Sequence, residues 1–229
     1  MKLWGRLVNL PDLSWELTNG GKTGHGGRLT HVGPTRLASL RQQLETIVEE
    51  GIPGDVIEAG VWRGGCCIWM RAVLDSLEDA RTVVCADSFA GFPEPDVEKY
   101  PGDWRVTKWR EKMPVYTVGL DEVKANFAHY PLVGPVEFVL GPFRETLWKL
   151  KDRLWSLIRM DADSYEATIL SLENLYPGLS KGGYCIADDY GDRLKTHQAK
   201  QAVDDYRQDH DCPPHLGWVD DHCVYWRKL

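Results

Sequence analysis

Acidic residues follow two short, mostly apolar runs near the middle of this 229-residue sequence. Asp161 follows the run at 154–160, and Asp188 and Asp189 follow the run at 183–187. A stretch with helical spacing separates the runs, so we predict a strand–helix–strand unit with two parallel, neighbouring strands. The three carboxylates would then meet at the carboxyl edge of one sheet, where α/β proteins bind ligands. Their convergence costs free energy unless a cation lies among them.

This acidic set also indicates which cation it would bind. Carboxylates without cysteine or paired histidine ligands are typical of Mg²⁺, which prefers about six oxygen ligands and retains water. Asp188 and Asp189 alone would also fit a helix N-cap or a surface turn. The position of Asp161 at the end of the neighbouring strand favours the metal site.

A glycine-containing turn follows the first predicted strand, with the pattern Glu58-x-Gly60-x-x-x-Gly64. Glycine lets the backbone approach a ligand closely, and the helix that follows offers free N–H groups. The dinucleotide-binding pattern GxGxxG is absent, since positions 60, 62 and 65 are Gly, Trp and Gly. The turn therefore favours a cationic ligand near Glu58 over a pyrophosphate. A tight turn without any ligand is the alternative.

Asp87 ends the second predicted strand and adds a further carboxylate to the same edge. A carboxylate at this position of a nucleotide-binding α/β fold accepts hydrogen bonds from the hydroxyl groups of a ribose. Asp87 would otherwise cap the turn that follows the strand. Together, Glu58 and Asp87 indicate a nucleoside-like ligand that carries positive charge. S-adenosylmethionine fits this description.

Hydrophobic periodicity places these residues on alternating strands and helices. Strands are predicted at 55–60, 82–86, 136–140 and 223–226, with two more in the central stretch 154–191. Helices are predicted at 35–50, 66–77, 120–127, 145–152, 164–176 and 196–210. Repeated alternation of the two elements is typical of a three-layer α/β sandwich.

Segments without clear periodicity are interpreted as loops or as a cover for the site. The loop at 91–114 contains several prolines and aromatic residues, and loops of this length are usually lids or binding loops. The glycine-rich segment 19–27 resembles a phosphate loop at 21–23, but no apolar strand precedes it. We predict one domain, 1–229, in which 1–50 forms an N-terminal lid or helical segment.

The length and composition of the sequence exclude several classes of protein. The length suits one α/β domain, and a net charge of −7 argues against a broad nucleic-acid surface. No apolar run reaches a membrane-spanning length and no signal-peptide core is visible, so a cytoplasmic location without a membrane partner is expected by default. Six cysteines occur without a CxxC pair or a zinc-site spacing, which indicates reduced, structural thiols.

Eight ordered blocks of the sequence resemble the macrocin O-methyltransferase (TylF/MycF) family. The blocks lie at 53–65, 87–95, 141–147, 160–166, 175–183, 188–191, 202–207 and 224–228. The resemblance implies a Rossmann-like class I methyltransferase fold with a mostly parallel, seven-stranded sheet. It also implies a Mg²⁺-dependent O-methyltransferase that uses S-adenosylmethionine. Known members of the family act on deoxysugar hydroxyls of macrolide and aminocoumarin antibiotics.

The resemblance further implies roles for individual residues. Asp161, Asp188 and Asp189 correspond to metal ligands, and Asp161 and Asp163 form the catalytic Asp-x-Asp pattern with Asp163 as the general base. Cofactor contacts are implied at Glu58, Gly60, Gly64, Cys66, Asp87, Ser88, Gly141 and Phe143. Cys66 departs from the serine that family members often have there. A small hydroxylated, glycosylated substrate and a homo-oligomer are also implied.

Four alternatives to this interpretation stay open. His197 follows the loop after the second acidic pair and is an alternative to Asp163 as the base. A catechol or phenol would serve as well as a sugar as the acceptor, because vicinal hydroxyls chelate a metal in both. A non-catalytic cofactor-binding relative is disfavoured by the intact acidic set. A nicotinamide-dependent oxidoreductase is disfavoured by the missing GxGxxG pattern.

Overall fold

One sheet of seven strands runs through the described part of the protein, which comprises residues 9–20, 27–191 and 198–229 of a computed structural model. The strands are β1 (Asp55–Ala59), β2 (Val83–Asp87), β3 (Val136–Leu140), β4 (Trp155–Met160), β5 (Leu179–Ala187), β6 (Gly217–Trp218) and β7 (Val224–Arg227). Their spatial order is β3-β2-β1-β4-β5-β7-β6. Strands β1 to β5 are parallel, and β7 is antiparallel to both β5 and β6.

Helices connect most of these strands. Within the described residues they are α1 (Leu10–Asn19), α2 (Pro34–Glu49), α3 (Gly65–Ser76), α4 (Trp104–Lys112), α5 (Leu120–Ala128), α6 (Phe143–Thr146), α7 (Tyr165–Leu175) and α8 (Gln198–Asp209). A 3₁₀ turn at Pro101–Asp103 precedes α4, and another at Leu147–Leu150 follows α6. None of the helices in these ranges combines the length and the hydrophobicity that a membrane crossing requires.

Alternate residues of the central strands point into two apolar clusters, one on each face of the sheet. Val56 of β1 and Leu157 of β4 belong to the cluster that also contains residues of α1, α2 and α3. Ile57 and Ile158 belong to the other cluster, with residues of α7 and α8. The central strands are thus buried on both faces, as parallel strands between helical layers are. The predicted three-layer α/β sandwich is confirmed.

The strand order reverses between β1 and β4, and this reversal creates a crevice. β1 pairs with β2 on one side and with β4 on the other. The chain runs from β1 to β2 and β3 in one direction and then adds β4 and β5 in the other direction. In open α/β sheets, ligands bind at such a crevice outside the carboxyl ends of the strands. The residues that follow β1, β2, β4 and β5 therefore face a common space.

Most element boundaries agree with the sequence predictions to within two residues. The predicted loop 91–114 was wrong in part, because it contains α4. Only Val106 of that helix is buried, so the helix has no apolar stripe that a pattern would reveal. The predicted helix 145–152 is instead the single turn α6 followed by a 3₁₀ turn. Helix α1 lies in the segment 1–50 that was predicted to be a lid or helical, but no bounds were predicted for it, although its three buried leucines have helical spacing. The two-residue β6 was not predicted.

The described N-terminal segment is helical and packs against the rest of the fold. Helices α1 and α2 both contribute to the apolar cluster that contains α3. The role of this segment as a lid and the limits of the domain stay predictions. The residues of the phosphate-loop alternative, 21–23, and the alternative base His197 lie outside the described residues.

Candidate active site

A cavity of about 540 Å³ opens at the carboxyl ends of the central strands. Ten of the twelve residues predicted for the site line it, namely Glu58, Gly60, Cys66, Asp87, Ser88, Phe143, Asp161, Asp163, Asp188 and Asp189. Gly64 and Gly141 belong to neighbouring turns and are not part of the lining. The fold therefore gathers predicted residues from five strand ends into one cavity.

The carboxylates of Asp161, Asp188 and Asp189 converge at one end of this cavity. One oxygen from each lies within 4.8 Å of the other two, a spacing at which one cation can contact all three. Strand pairing holds the group together, because the backbone N–H of Asp188 donates to the carbonyl of Met160 at 2.9 Å. The role of the three carboxylates as metal ligands stays a prediction.

A buried guanidinium group, that of Arg159 on β4, lies among these carboxylates. Its side chain is 2% exposed. Nη1 forms an ion pair with Glu58 and lies 2.9 Å from Asp161 Oδ2, while Nη2 lies 2.7 Å from Asp188 Oδ1. The sequence analysis missed this cation, although an arginine in an otherwise apolar strand was a signal that it needs buried partners.

A second guanidinium group, that of Arg36 on α2, approaches the same carboxylates from the N-terminal segment. Arg36 Nη1 lies 2.6 Å from Asp188 Oδ2, and Nε lies 2.6 Å from Asp220 Oδ2. This arginine therefore links α2 to the end of β5 and to the turn before β7. Sequence patterns did not indicate it, because its partners are more than 150 residues away along the chain.

The acidic end of the cavity carries more negative than positive charge. Five carboxylates contribute, those of Glu58, Asp161, Asp163, Asp188 and Asp189. With two guanidinium groups opposite them, three negative charges remain in excess when all five are ionised. Burial and then the neighbouring carboxylates raise the pKa of Asp163 to about 7 and that of Asp189 well above its usual range. A bound cation would relieve this repulsion.

Both oxygens of Asp188 have cationic partners. Oδ1 lies 2.7 Å from Arg159 Nη2, and Oδ2 lies 2.6 Å from Arg36 Nη1. The metal site is supported instead by the donor set, since carboxylate oxygens are the ligands that a hard divalent cation such as Mg²⁺ prefers.

Asp163 occupies a strained turn between β4 and α7. Its φ of 57° lies in the left-handed region, which aspartate and asparagine adopt more readily than most residues. The backbone N–H of Asp163 donates to Asp189 Oδ2 at 3.1 Å, and Ser164 then caps α7. Asp189 thus positions the residue that was predicted to be the base. Strain held by surrounding contacts is a common feature of functional sites.

The backbone conformation and the close packing of the turn after β1 require glycine at positions 60 and 64. Gly60 has a φ of 91°, and a Cβ atom there would lie 1.9 Å from the carbonyl oxygen of Asp161. Gly64 has a φ of 84°, and a Cβ atom would lie 2.9 Å from Val123 Cγ1. Only glycine therefore allows β1 and β4 to end side by side with α3 starting beneath them.

Asp87 caps the turn around it and also faces the cavity. Its Oδ2 accepts a hydrogen bond from the N–H of Val61 at 2.8 Å, and its Oδ1 accepts one from the N–H of Phe89 at 2.8 Å. The turn-capping alternative is thus observed. Oδ2 also lies 3.3 Å from the N–H nitrogen of Trp62, and Oδ1 lies 3.3 Å from the hydroxyl oxygen of Ser88. The ribose contact stays a prediction. The hydroxyl of Ser88 donates to the carbonyl of Gly91.

Glu58 is buried against protein partners. Arg159 contacts one of its oxygens, and the thiol of Cys67 donates to the other at 2.7 Å. Burial raises the pKa of Glu58 to about 7, although Arg159 opposes the shift. The cationic group that contacts Glu58 in the structure is therefore the guanidinium of Arg159. The contact of Glu58 with the cofactor stays a prediction.

The thiol of Cys66 lines the cavity and faces the N-terminal segment. It lies 3.4 Å from Thr30 Oγ1, and burial raises the pKa of the thiol well above its usual value. Cys66 therefore stays a neutral thiol, which is a weaker hydrogen-bonding group than the hydroxyl of serine. All six cysteines are unpaired and five are buried, in agreement with the sequence prediction.

Aromatic side chains form the mouth of the cavity. Trp62 lies 4.2 Å from His31 and 6.0 Å from Tyr116 between ring centroids, and Phe92 lies 5.6 Å from Tyr116. These four side chains line the cavity, as does His222. The sequence analysis did not assign these rings, because they come from three segments that are distant along the chain.

Solved methyltransferase structures share this fold. The O-methyltransferase NovP matches with a TM-score of 0.85 and 35% identity, over 96% of this chain and 97% of that chain. The calicheamicin methyltransferase CalS11 matches with a TM-score of 0.61 and 22% identity, over 95% and 90% of the two chains. At that lower identity the likeness shows the fold alone. The protein has the Rossmann-like class I methyltransferase fold.

The family model for macrocin O-methyltransferase (TylF) matches residues 20–228. The chain belongs to this family, and it is an S-adenosylmethionine-dependent O-methyltransferase. A demethyldecarbamoylnovobiocin O-methyltransferase from Streptomyces niveus is 39% identical over 215 residues, 93% of this chain and 80% of the relative. The 8-demethyl-8-(2,3-dimethoxy-alpha-L-rhamnosyl)-tetracenomycin-C 4'-O-methyltransferase from Streptomyces olivaceus is 42% identical over 200 residues, 86% and 75% of the two chains. A mycinamicin III 3''-O-methyltransferase from Micromonospora griseorubida is 37% identical over 203 residues, 87% and 78%.

Proposed function

We propose that this enzyme transfers a methyl group from S-adenosylmethionine to a sugar hydroxyl of a glycosylated natural product, with Mg²⁺ as a second cofactor. The observation that carries the proposal is the cluster of Asp161, Asp188 and Asp189 at one end of the cavity. The three relatives described above support the acceptor class, since each is named for an antibiotic compound and one name includes a rhamnosyl group.

The excess negative charge and the convergence of three carboxylates support a divalent cation in this cluster. Asp161, Asp188 and Asp189 would hold it. A bound Mg²⁺ would supply positive charge that lowers the free energy of a deprotonating hydroxyl. Arg159 contacts Asp161 and Asp188 and so keeps both carboxylates in place before any cation binds.

The residues of the chain would orient the acceptor and remove its proton. S-adenosylmethionine supplies the methyl group, which leaves sulfur as the acceptor oxygen forms the new C–O bond. In this scheme the carboxylate of Asp163 accepts the hydroxyl proton. Because Asp189 holds the backbone of Asp163, the base would be pre-positioned beside the acceptor. Alignment of this kind accounts for a large share of the rate of bimolecular transfers.

Calorimetric titration of S-adenosylmethionine and S-adenosylhomocysteine, each with Mg²⁺ present or chelated, tests the cofactors. We expect micromolar binding of both nucleosides and a separate binding isotherm for Mg²⁺. A folded protein that binds neither nucleoside would contradict the cofactor assignment. Binding of the nucleosides without any isotherm for Mg²⁺ would contradict the metal role only.

The acceptor class needs its own assay, with demethyldecarbamoylnovobiocin, mycinamicin III and a simple catechol as acceptors. Turnover of a glycosylated compound but not of the catechol would support the sugar acceptor. Turnover of the catechol alone would favour the phenolic alternative. No turnover with any acceptor, in a protein that binds S-adenosylmethionine, would point to the non-catalytic alternative.

Further properties follow as expectations. We propose a homo-oligomer located in the cytoplasm that acts on a small molecule rather than on a nucleic acid or a membrane. The family resemblance supports the oligomer, and the net charge of −7 supports the absence of a nucleic-acid partner.

Asp163→Asn is expected to lower kcat by about a hundredfold or more, since a positioned base contributes about 10²–10⁴ to the rate. Asparagine adopts left-handed φ angles, so the turn should be preserved. Initial rates with a turned-over acceptor, together with calorimetry of S-adenosylmethionine and Mg²⁺, provide the measurement. Binding of both cofactors should be unchanged, and a normal kcat would exclude Asp163 as the base.

A further inference from the structure

Asp103 is a fully buried carboxylate outside the acidic end of the cavity, in the 3₁₀ turn before α4. Its Oδ1 accepts a hydrogen bond from the N–H of Tyr165, and its Oδ2 accepts one from the N–H of Glu166, both at 2.8 Å. These are the first two N–H groups of α7, which have no partner within their own helix. Asp103 therefore caps α7 from a different segment of the chain.

No described cationic side chain forms an ion pair with Asp103, and burial raises the pKa of its carboxyl group. Burial of a carboxylate is costly unless hydrogen bonds and local dipoles compensate for the lost water. The two N–H groups at the positive end of α7 provide that compensation. An asparagine would retain only one acceptor oxygen for the two donors.

A second attachment joins the preceding loop to the same helix start. Glu166 Oε2 accepts a hydrogen bond from the N–H of Asp96 at 3.1 Å, and Arg144 forms an ion pair with Glu166 at 2.9 Å. Arg144 also donates to the carbonyl of Glu94 at 2.6 Å. The segment from 94 to 103 is thus fixed to α7 at both ends.

The segment that follows Asp103 reaches the cavity through one residue. We define the acceptor wall as residues 101–112, which comprise the 3₁₀ turn and α4. Val106 of this wall is buried and lines the cavity. Asp163 lies two residues before α7 and also lines the cavity. The start of α7 is therefore the common support of the wall and of the proposed base.

We propose that Asp103 is a positioning residue that fixes the acceptor wall to the start of α7 and thereby determines how tightly the acceptor binds. The inference rests on the proposed function for its kinetic consequence. Asp103 does not line the cavity, so it acts through the wall and not by contact with the acceptor. Asp163 has its own support from Asp189, so acceptor binding should be affected more than the chemical step.

Asp75→Asn is the matched control for Asp103→Asn. Asp75 of α3 also accepts hydrogen bonds from two successive N–H groups, those of Val133 at 2.9 Å and Gly134 at 3.0 Å. None of these three residues lines the cavity. Each variant leaves one acceptor oxygen for two N–H groups, one pair beside the cavity and one away from it. Asp75→Asn also removes the charge that pairs with the buried Arg71, so it is the harsher change of the two.

The experiment measures hydrogen exchange by mass spectrometry, calorimetry of S-adenosylmethionine and kinetics with a turned-over acceptor from the panel above. For Asp103→Asn we expect exchange across 101–112 to become about tenfold faster, because fewer contacts resist local opening. The KM for the acceptor should rise about tenfold, as misplacement of a binding wall weakens orientation. The dissociation constant for S-adenosylmethionine and kcat should change by less than about threefold. Asp75→Asn should change neither exchange at 101–112 nor the KM.

Each negative result has a distinct meaning. Unchanged exchange at 101–112, or an unchanged acceptor KM, would overturn the inference. A wild-type enzyme without turnover of any acceptor would contradict the proposed function, and the exchange data would still decide whether Asp103 fixes the wall. If Asp103→Asn does not fold, the same measurements are made on Asp103→Ser, whose single hydroxyl oxygen cannot accept from both N–H groups and which is expected to show the same changes.

Discussion

Asp189→Asn is expected to lower kcat by about a thousandfold, since several kcal/mol of charge stabilisation are lost with the cation. The variant retains an oxygen that can accept the hydrogen bond from the N–H of Asp163, so the turn before α7 should be preserved. What it removes is one of the three negative charges that converge within 4.8 Å. The measurements are initial rates over a range of Mg²⁺ concentrations and direct calorimetry of Mg²⁺ binding.

Calorimetry should show a lost or strongly weakened Mg²⁺ isotherm in Asp189→Asn, with S-adenosylmethionine binding within about twofold of wild type. Asp221→Asn is the matched control, because its carboxylate lies at the same edge of the protein but is 89% exposed and does not line the cavity. The control should have normal rates. A normal kcat for Asp189→Asn, or a full wild-type rate after chelation of divalent cations, would contradict the metal role.

Arg159→Met is expected to lower the free energy of unfolding by about 3–5 kcal/mol, the usual cost of removing one partner of a buried ion pair. The substitution keeps an unbranched apolar side chain of comparable length but leaves Glu58, Asp161 and Asp188 without their shared cation. Most of this loss in free energy should come from Glu58, because it is buried and Arg159 is its main counter-charge. Urea denaturation followed by tryptophan fluorescence gives the measurement.

Two comparisons make the stability result specific. Arg153→Met removes an arginine that also contacts two carboxylates, Asp55 and Glu137, but its side chain is 24% exposed, so the loss should be no more than about 1 kcal/mol. The double variant Arg159→Met with Glu58→Gln should recover part of the loss, because the most deeply buried unpaired charge is then removed. Equal stability of Arg159→Met and wild type would show that the buried cation does not hold the carboxylates.

The local part of the site could be predicted from the sequence. Asp87, Asp161 and Asp188 were placed at strand ends because each follows a short apolar run. Such a run can be recognised from adjacent residues in the sequence, without knowledge of the tertiary structure. The order of strands and helices then required the strand ends to meet at one edge. Helix α4 shows where this reasoning fails, since a helix with one buried residue leaves no periodic signal.

The sequence by itself determined the α/β class, the family and the acidic residues that meet at the carboxyl edge of the sheet. Only the tertiary structure decided which charges neutralise them. Glu58 and Arg159 are direct neighbours in the register between β1 and β4, and Arg36 reaches Asp188 from a helix at the other end of the chain. Strand register and helix docking depend on the packing of the whole core, and the net charge around a buried carboxylate depends on them in turn.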